Sequence, residues 1–192
     1  MSLTGGKVPH VAIDSHSGWI FVDELPDLSG TSLLPVIERI DAFANQCGGR
    51  VRVWGSDGAL CYTKGPVAKL ISKLGGRSEF TTSHSSNGNG RVERSIGLLY
   101  RMARAMLTHA KLPLCFWNEA LEWAAHLNNR CADAHSAITP FELVKGRPPV
   151  IADMLHVWGS SCVFSHTIPS HRSNCKFEEI SSRGFWTGVP RH

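Results

Sequence analysis

The stretch NGNGRVERSIGLLYRMARAML, residues 87–107, decides how this chain is read. Its first four residues alternate asparagine and glycine, the composition of a polar loop. From Val92 onward Val92, Ile96, Leu99, Ala103, Met106 and Ala110 recur at helical period and predict a long helix with one apolar stripe. Its other face is basic. Between Arg91 and Lys111 stand Arg91, Arg94, Arg101, Arg104 and Lys111 against a single carboxylate, Glu93. Such a helix face either meets phosphate or is merely solvated. Glu93, expected where loop turns into helix, has two readings as well. Negative charge in a first turn suits the helix dipole, and a carboxylate at that point can also be half of a metal site.

Working upstream, Val8–Ile13 and Trp19–Leu25 read as two strands around a Ser17–Gly18 turn. Ser29–Ser32 offers helix N-caps, followed by Leu33, Ile37, Ile40, Ala44 and Cys47 at helical spacing. Pro35 is expected in the first turn, and Gly48–Gly49 stop the helix. Arg50–Trp54 reads as a short strand delivering Gly-Ser-Asp-Gly, and Pro66–Leu74 as a second helix before the strand-like SEFTTS. Ser83–Gly90 is expected to be a loop, with His84 in it. Downstream, Pro113 ends the long helix, and Trp117, Leu121, Ala124 and Leu127 mark the next. Trp117 and Trp123 fit packing better than base stacking. TPFELVKGRPP reads as a capped helical turn with a proline stop. From about Asp153, HVWGSSCVFSH and SSRGFWTGV are short strand candidates around a serine-rich loop, which suggests a small β module on an α/β core.

With 192 residues, 42% hydrophobic and 19% charged, the chain can bury a core and is not of disordered composition. The net charge of +4 points only weakly toward nucleic acid. No apolar run reaches the roughly 18–20 residues of a membrane span, and the start has no signal-peptide pattern, so an intracellular protein is expected. Six scattered cysteines form no C-x-x-C pair and are expected as reduced thiols. Cys162, His166, His171 and Cys175 lack the knuckle spacing of a zinc site.

Asp57 leaves the Arg50–Trp54 strand, and 35 residues separate it from Glu93. Two carboxylates gathered at the end of a sheet can hold hard divalent ions through oxygen. The surrounding motifs, Ser56-Asp57-Gly58-Ala59 and Asn89-Gly90-Arg91-Val92-Glu93-Arg94, resemble those of the catalytic core of retroviral and copia-type LTR retrotransposon integrases. Arg101–Arg130, with its Leu-Pro and Phe-Trp, and Thr139–Pro149 are similar to the segments that follow in the copia-type group. The final segment is similar to the SH3-like β module after the core. Nearly the whole chain is covered, in order.

The resemblance implies a ribonuclease-H-like α/β fold, a mixed five-stranded sheet flanked by helices. It divides the chain into a catalytic core (1–131), a connecting segment (132–152) and an incomplete SH3-like module (153–192). It further implies metal-dependent cutting and joining of DNA, with Asp57 and Glu93 as catalytic, metal-binding carboxylates for Mg²⁺ or Mn²⁺. Asn89 and Arg94 fall at positions near DNA, and Arg101 and Arg104 extend the basic face. DNA is the implied partner, with homo-oligomers, no membrane, no small-molecule cofactor, a Gag-Pol-type polyprotein as source and the nucleus as the place of action.

Departures from the family pattern accompany this. The family uses three carboxylates, the first on a strand upstream of the hairpin, yet none of the residues before Val8 is acidic. Asp14 sits in or beside the hairpin turn and matches a different family aspartate. Gly58-Ala59 replaces Asn-Gly, and TSHSSNGNG lacks the usual proline. The expectation is a truncated copy, lacking its first strand, with impaired activity. The alternatives are a non-catalytic DNA-binding or oligomerisation remnant and an unrelated ribonuclease-H-like nuclease. The LPLCFWNEA and TPFELVKG stretches speak against the last.

Overall fold

The computed structural model describes residues 8–56, 65–80, 86–132, 136–150, 156–165 and 181–188. In chain order the elements are β1 (Val8–Ile13), β2 (Ile20–Leu25), α1 (Gly30–Gln46), β3 (Val53–Ser56), α2 (Pro66–Lys73), β4 (Arg77–Phe80) and α3 (Ser86–Ala110). A 3-10 turn (Leu114–Phe116), α4 (Trp117–Arg130), α5 (Pro140–Lys145), β5 (Ser161–Ser165) and β6 (Ser181–Phe185) follow.

β1 and β2 form an antiparallel hairpin, Val8 opposite Leu25 and Ile13 opposite Ile20. Its turn is built by Asp14, whose Oδ2 accepts from the Ser17 N–H at 2.8 Å and from the Ser17 hydroxyl. Five of the six β2 residues are buried, the pattern of a strand covered on both faces. Because side chains alternate, the faces feed two cores. Ile20 and Val22 pack with Leu99, Ala103 and Leu107 of α3 and with Leu121, Trp123 and Ala124 of α4. Phe21 and Leu25 pack with Leu33, Val36, Ile37 and Ile40 of α1 and Val67 and Ile71 of α2. The result is a helix–strand–helix layering. On the α1 side Arg39 donates to both carboxylate oxygens of the buried Asp23, at 2.7 and 2.6 Å.

Local signals set several ends. Ser29 caps α1, accepting from the Ser32 N–H at 3.3 Å. Thr139 and Glu142 form a full capping box on α5, which ends on Gly146 in the left-handed conformation. α4 carries Leu121 and Ala124 inward as expected, and Trp123 is a packing residue, 3% exposed.

Four expectations are corrected. Pro35 lies inside α1, beyond its first turn, so the helix gives up the bond that residue 35 would make to Thr31. The third strand runs Val53–Ser56 rather than Arg50–Trp54. The Ser83–Gly90 loop is not a loop over its second half. α3 already begins at Ser86, because extending a packed helix costs far less than starting one, even through poor helix formers such as Gly88 and Gly90. The deeply buried stripe of α3 is Leu99, Ala103 and Leu107, while Met106 and Ala110 are only partly covered.

β3 and β4 pair in parallel, Val53 opposite Arg77 and Ser56 opposite Phe80. Among the described residues the strands form three two-stranded ladders, β1–β2, β3–β4 and β5–β6, and no strand joins the first two into one sheet. The β5–β6 hairpin is held against α3 and α4. Trp158 is buried in their core, its Nε1 donates to the Thr187 carbonyl at 3.0 Å, and Trp186 meets Trp123 edge-on at 4.5 Å.

Candidate nucleic-acid and metal site

The parallel β3–β4 pair places Ser56 and Phe80 side by side at its C-terminal end, the end where open α/β sheets gather their ligands. Asp57, the residue after Ser56, lies outside the described residues, as do His84, His166, His171 and Cys175. α3 starts six residues after Phe80.

Glu93 is not in the first turn of α3. It is the eighth residue of the helix, so the dipole at the N-terminus is not what places it there. At 3.6 residues per turn, Glu93, Gly97, Tyr100 and Arg104 fall within roughly 60° of one another around the axis. Arg94 and Arg101 lie together along one side of that row. Glu93, Arg94, Arg101 and Arg104 are all exposed, and Tyr100 is 40% exposed. Arg101, Arg104, Ala105, Thr108 and His109 line a shallow, open recess of about 490 Å³ along the same face. The structure therefore brings Glu93 and the three arginines onto one surface. The backbone of Asn89 lies in α3, one turn before Glu93, and its side chain is outside the described residues. Tyr100 is missed by a reading that treats aromatic residues on helices as core. Its spacing of seven from Glu93 is the signal that places it on the exposed row.

Fit to a divalent ion is met in kind. No ion pair among the described residues engages the Glu93 carboxylate, which leaves its oxygens available to a hard cation. The described residues alone contain no group of three or more His, Cys, Asp or Glu side chains that could hold a metal. The Asp14 carboxylate is engaged by Ser17 within its own turn. Burial opposes its ionisation, yet the hydrogen bonds from the Ser17 hydroxyl, the Ser17 N–H and the His16 N–H prevail and hold it below the usual carboxylate range.

No family model matches the chain. It is 28% identical over 182 residues, 93% of its length, to the Retrovirus-related Pol polyprotein from transposon TNT 1-94 of Nicotiana tabacum. It is 33% identical over 89 residues, 45% of its length, to the corresponding polyprotein from transposon RE2 of Arabidopsis thaliana. Among solved structures it is similar to a chain of the simian T-cell lymphotropic virus intasome in complex with PP2A regulatory subunit B56 gamma. The TM-score is 0.62 at 19% identity, over 86% of this chain and 58% of that one. The HTLV-2 integrase catalytic core domain, solved with magnesium in a trimeric form, gives 0.57 at 15% identity, over 71% and 83% of the two chains. The BIV integrase catalytic core gives 0.55 at 21%, over 70% and 82%. The chain has the fold of these integrase cores and is similar in sequence to retrotransposon Pol polyproteins. It spans 13% of the tobacco polyprotein and 6% of the Arabidopsis one.

Proposed function

We propose that this chain is the DNA-handling core of a retrotransposon integrase, built for metal-dependent cleavage and joining of phosphodiesters. The observation that carries this reading is Glu93 on the exposed face of α3, in one row with Arg104 and with Arg94 and Arg101 beside it. A lone carboxylate on a phosphate-facing surface repels the substrate. A divalent cation seated on it reverses that sign and turns an unfavourable charge into a point of attachment. Asp57, directly after β3, is the second carboxylate of the reading. Mg²⁺ or Mn²⁺ held by Asp57 and Glu93 would polarise the attacking hydroxyl and stabilise the leaving oxygen. The chain's own residues do the rest: Arg94, Arg101 and Arg104 hold phosphates in place, and Asn89 adds a contact at the N-terminal side of α3.

Residues 1–131 serve as the core, 132–152 as a connector and 153–192 as part of an SH3-like module. The chain acts on nuclear DNA and does so as a homo-oligomer; a trimeric form is the one in which the HTLV-2 core was solved. The second reading is a DNA-binding or oligomerisation remnant without chemistry. Nicking and strand transfer with Mn²⁺, run beside the Glu93→Ala variant, separate the two. Activity lost with Glu93 supports the enzyme. Unchanged DNA binding with no activity in either protein supports the remnant.

A further inference from the structure

Cys47 and Lys145 stand 98 positions apart in the chain, yet Lys145 Nζ donates to Cys47 Sγ at 3.3 Å. Each closes a helix. Cys47 is the C-terminal cap of α1, and Lys145 is the last residue of α5. The thiol is free and partly buried, and the lysine is exposed. Holding an exposed lysine in one place costs rotamer entropy, so its seat on a thiol needs a physical cause.

Packing supplies that cause. Trp19 meets Phe43 of α1 with ring centroids 4.9 Å apart and Phe141 of α5 at 6.1 Å, which docks the short helix on the end of the long one. Phe141 is buried, and the Thr139–Glu142 capping box fixes where α5 starts. Phe43 lies four residues before Cys47, on the same face of α1. Lys145 Nζ sits over the Phe43 ring, 4.4 Å from its centroid. The ring face attracts the ammonium, and the thiol lies at the same point. Among the described residues no carboxylate forms an ion pair with Lys145. A nucleophilic nitrogen is thus held against an oxidisable sulfur.

We propose that Cys47 and Lys145 form a reversible oxidative cross-link, an S–N bond that staples the end of α1 to the end of α5. Hydrogen peroxide is the oxidant. It converts the Cys47 thiol to a sulfenic acid and is itself reduced to one water. Sulfenic acids condense with a thiol or an amide nitrogen held beside them, and a free amine is the stronger nucleophile. Lys145 Nζ, as the free amine, attacks the sulfur. The S–N bond forms, the S–OH bond breaks, and the hydroxide leaves with the proton given up by nitrogen, as a second water. Thiol, amine and peroxide together give the link and two waters. Two equivalents of a small thiol reverse it, restoring Cys47 and Lys145 and leaving the reductant as its disulfide. The link does not depend on how α3 handles DNA.

The test is peptide mass mapping of the full chain after hydrogen peroxide. Cys131→Ser is the background, because trypsin leaves Cys131 on the same peptide as Lys145. The Cys47 and Lys145 peptides are expected to be joined, about 2 Da lighter than their sum, and to separate again in dithiothreitol. Lys145→Arg keeps a cation over Phe43 but is expected to give no link. Its trapped Cys47 sulfenic acid is expected to take up dimedone about fivefold more than that of the parent. Closing a loop of about 100 residues is expected to raise the melting temperature by about 5–10 °C on oxidation, a rise absent from Cys47→Ser and Lys145→Arg. Equal dimedone uptake by the parent and Lys145→Arg overturns the cross-link. So does a parent whose Cys47 proceeds to sulfinic acid while trypsin still cuts after Lys145.

Discussion

Asn129, in the last turn of α4, bonds both backbone groups of Ile20: its Oδ1 accepts the N–H and its Nδ2 donates to the carbonyl, each at 2.8 Å and buried. Asp14 N–H bonds the Trp19 carbonyl at 2.9 Å, so the ladder bonds between β1 and β2 fall on alternate pairs and the Ile20 groups point away from β1. The amide stands in for a neighbouring strand at a buried edge. Asn129→Ala leaves a donor and an acceptor unsatisfied in the core and is expected to cost about 2–4 kcal/mol. Asn129→Asp keeps the shape and the acceptor but sets a carboxylate against a carbonyl. Its loss should shrink as the pH falls and the acid becomes a donor. Urea unfolding at neutral and mildly acid pH measures both.

Gly159 makes a second rigid joint. Its φ is +78°, and a Cβ there would overlap the Ala110 side chain, with only 2.3 Å between the two Cβ atoms. Its N–H also bonds the Trp186 carbonyl at 2.8 Å. Gly159→Ala therefore combines backbone strain with a clash at the end of α3, and is expected to cost about 2–4 kcal/mol. If β5–β6 were only tethered to the helices, the melting temperature would not move.

Two carboxylates make stability depend on acid. Glu142 is held below its ordinary value by the Thr139 N–H and then by the Thr139 hydroxyl, and Asp14 is lowered by its Ser17 and His16 hydrogen bonds despite burial. Both protons are bound more weakly in the folded chain than in the unfolded one. Their contribution is therefore present above the ordinary carboxylate range, at about pH 5 and higher, and is lost as the pH falls through the depressed values. The Asp14→Asn/Glu142→Gln variant is expected to show a shallower decline of the urea midpoint between about pH 5 and pH 2. Asp14→Asn alone should leave DNA nicking by the wild type unchanged, which sets it apart from a metal ligand.

What was legible in the sequence was what is encoded locally. Asp14, Ser17 and Gly18 announce the hairpin, and the Thr139–Glu142 spacing announces a capping box. The face shared by Glu93, Arg94, Arg101 and Arg104 follows from helical period alone. Asn129 and Trp158 were not legible, because their meaning comes from contacts across the chain: Asn129 meets Ile20 109 residues away, and Trp158 is buried by α3 and α4. The start of α3 was misplaced because Asn-Gly-Asn-Gly carries loop propensity, and propensity yields to a helix already anchored by Leu99, Ala103 and Leu107. The glutamate's place on the exposed face could be read from the pattern. Its distance from the first turn could not, because that depended on where the helix begins.

The charges of α3 give the most direct test of its role. Each phosphate contact neutralised by an arginine contributes about 0.9 to the slope of log affinity against log salt on duplex DNA. Removing Arg101 and Arg104 together is expected to reduce that slope by about 1.8 and to weaken binding at low salt most. Glu93 acts with the opposite sign. Without divalent ions, Glu93→Gln removes the one acidic charge of the face and is expected to raise affinity about two- to fivefold, an effect that fades as salt screens it. With Mn²⁺ the order should invert, because the wild-type carboxylate then carries a cation toward the phosphate and the glutamine does not. Titrating wild type and Glu93→Gln with duplex DNA, in chelator and in Mn²⁺, reads this inversion directly. Two parallel curves that keep their order in both conditions would mean that Glu93 holds no metal.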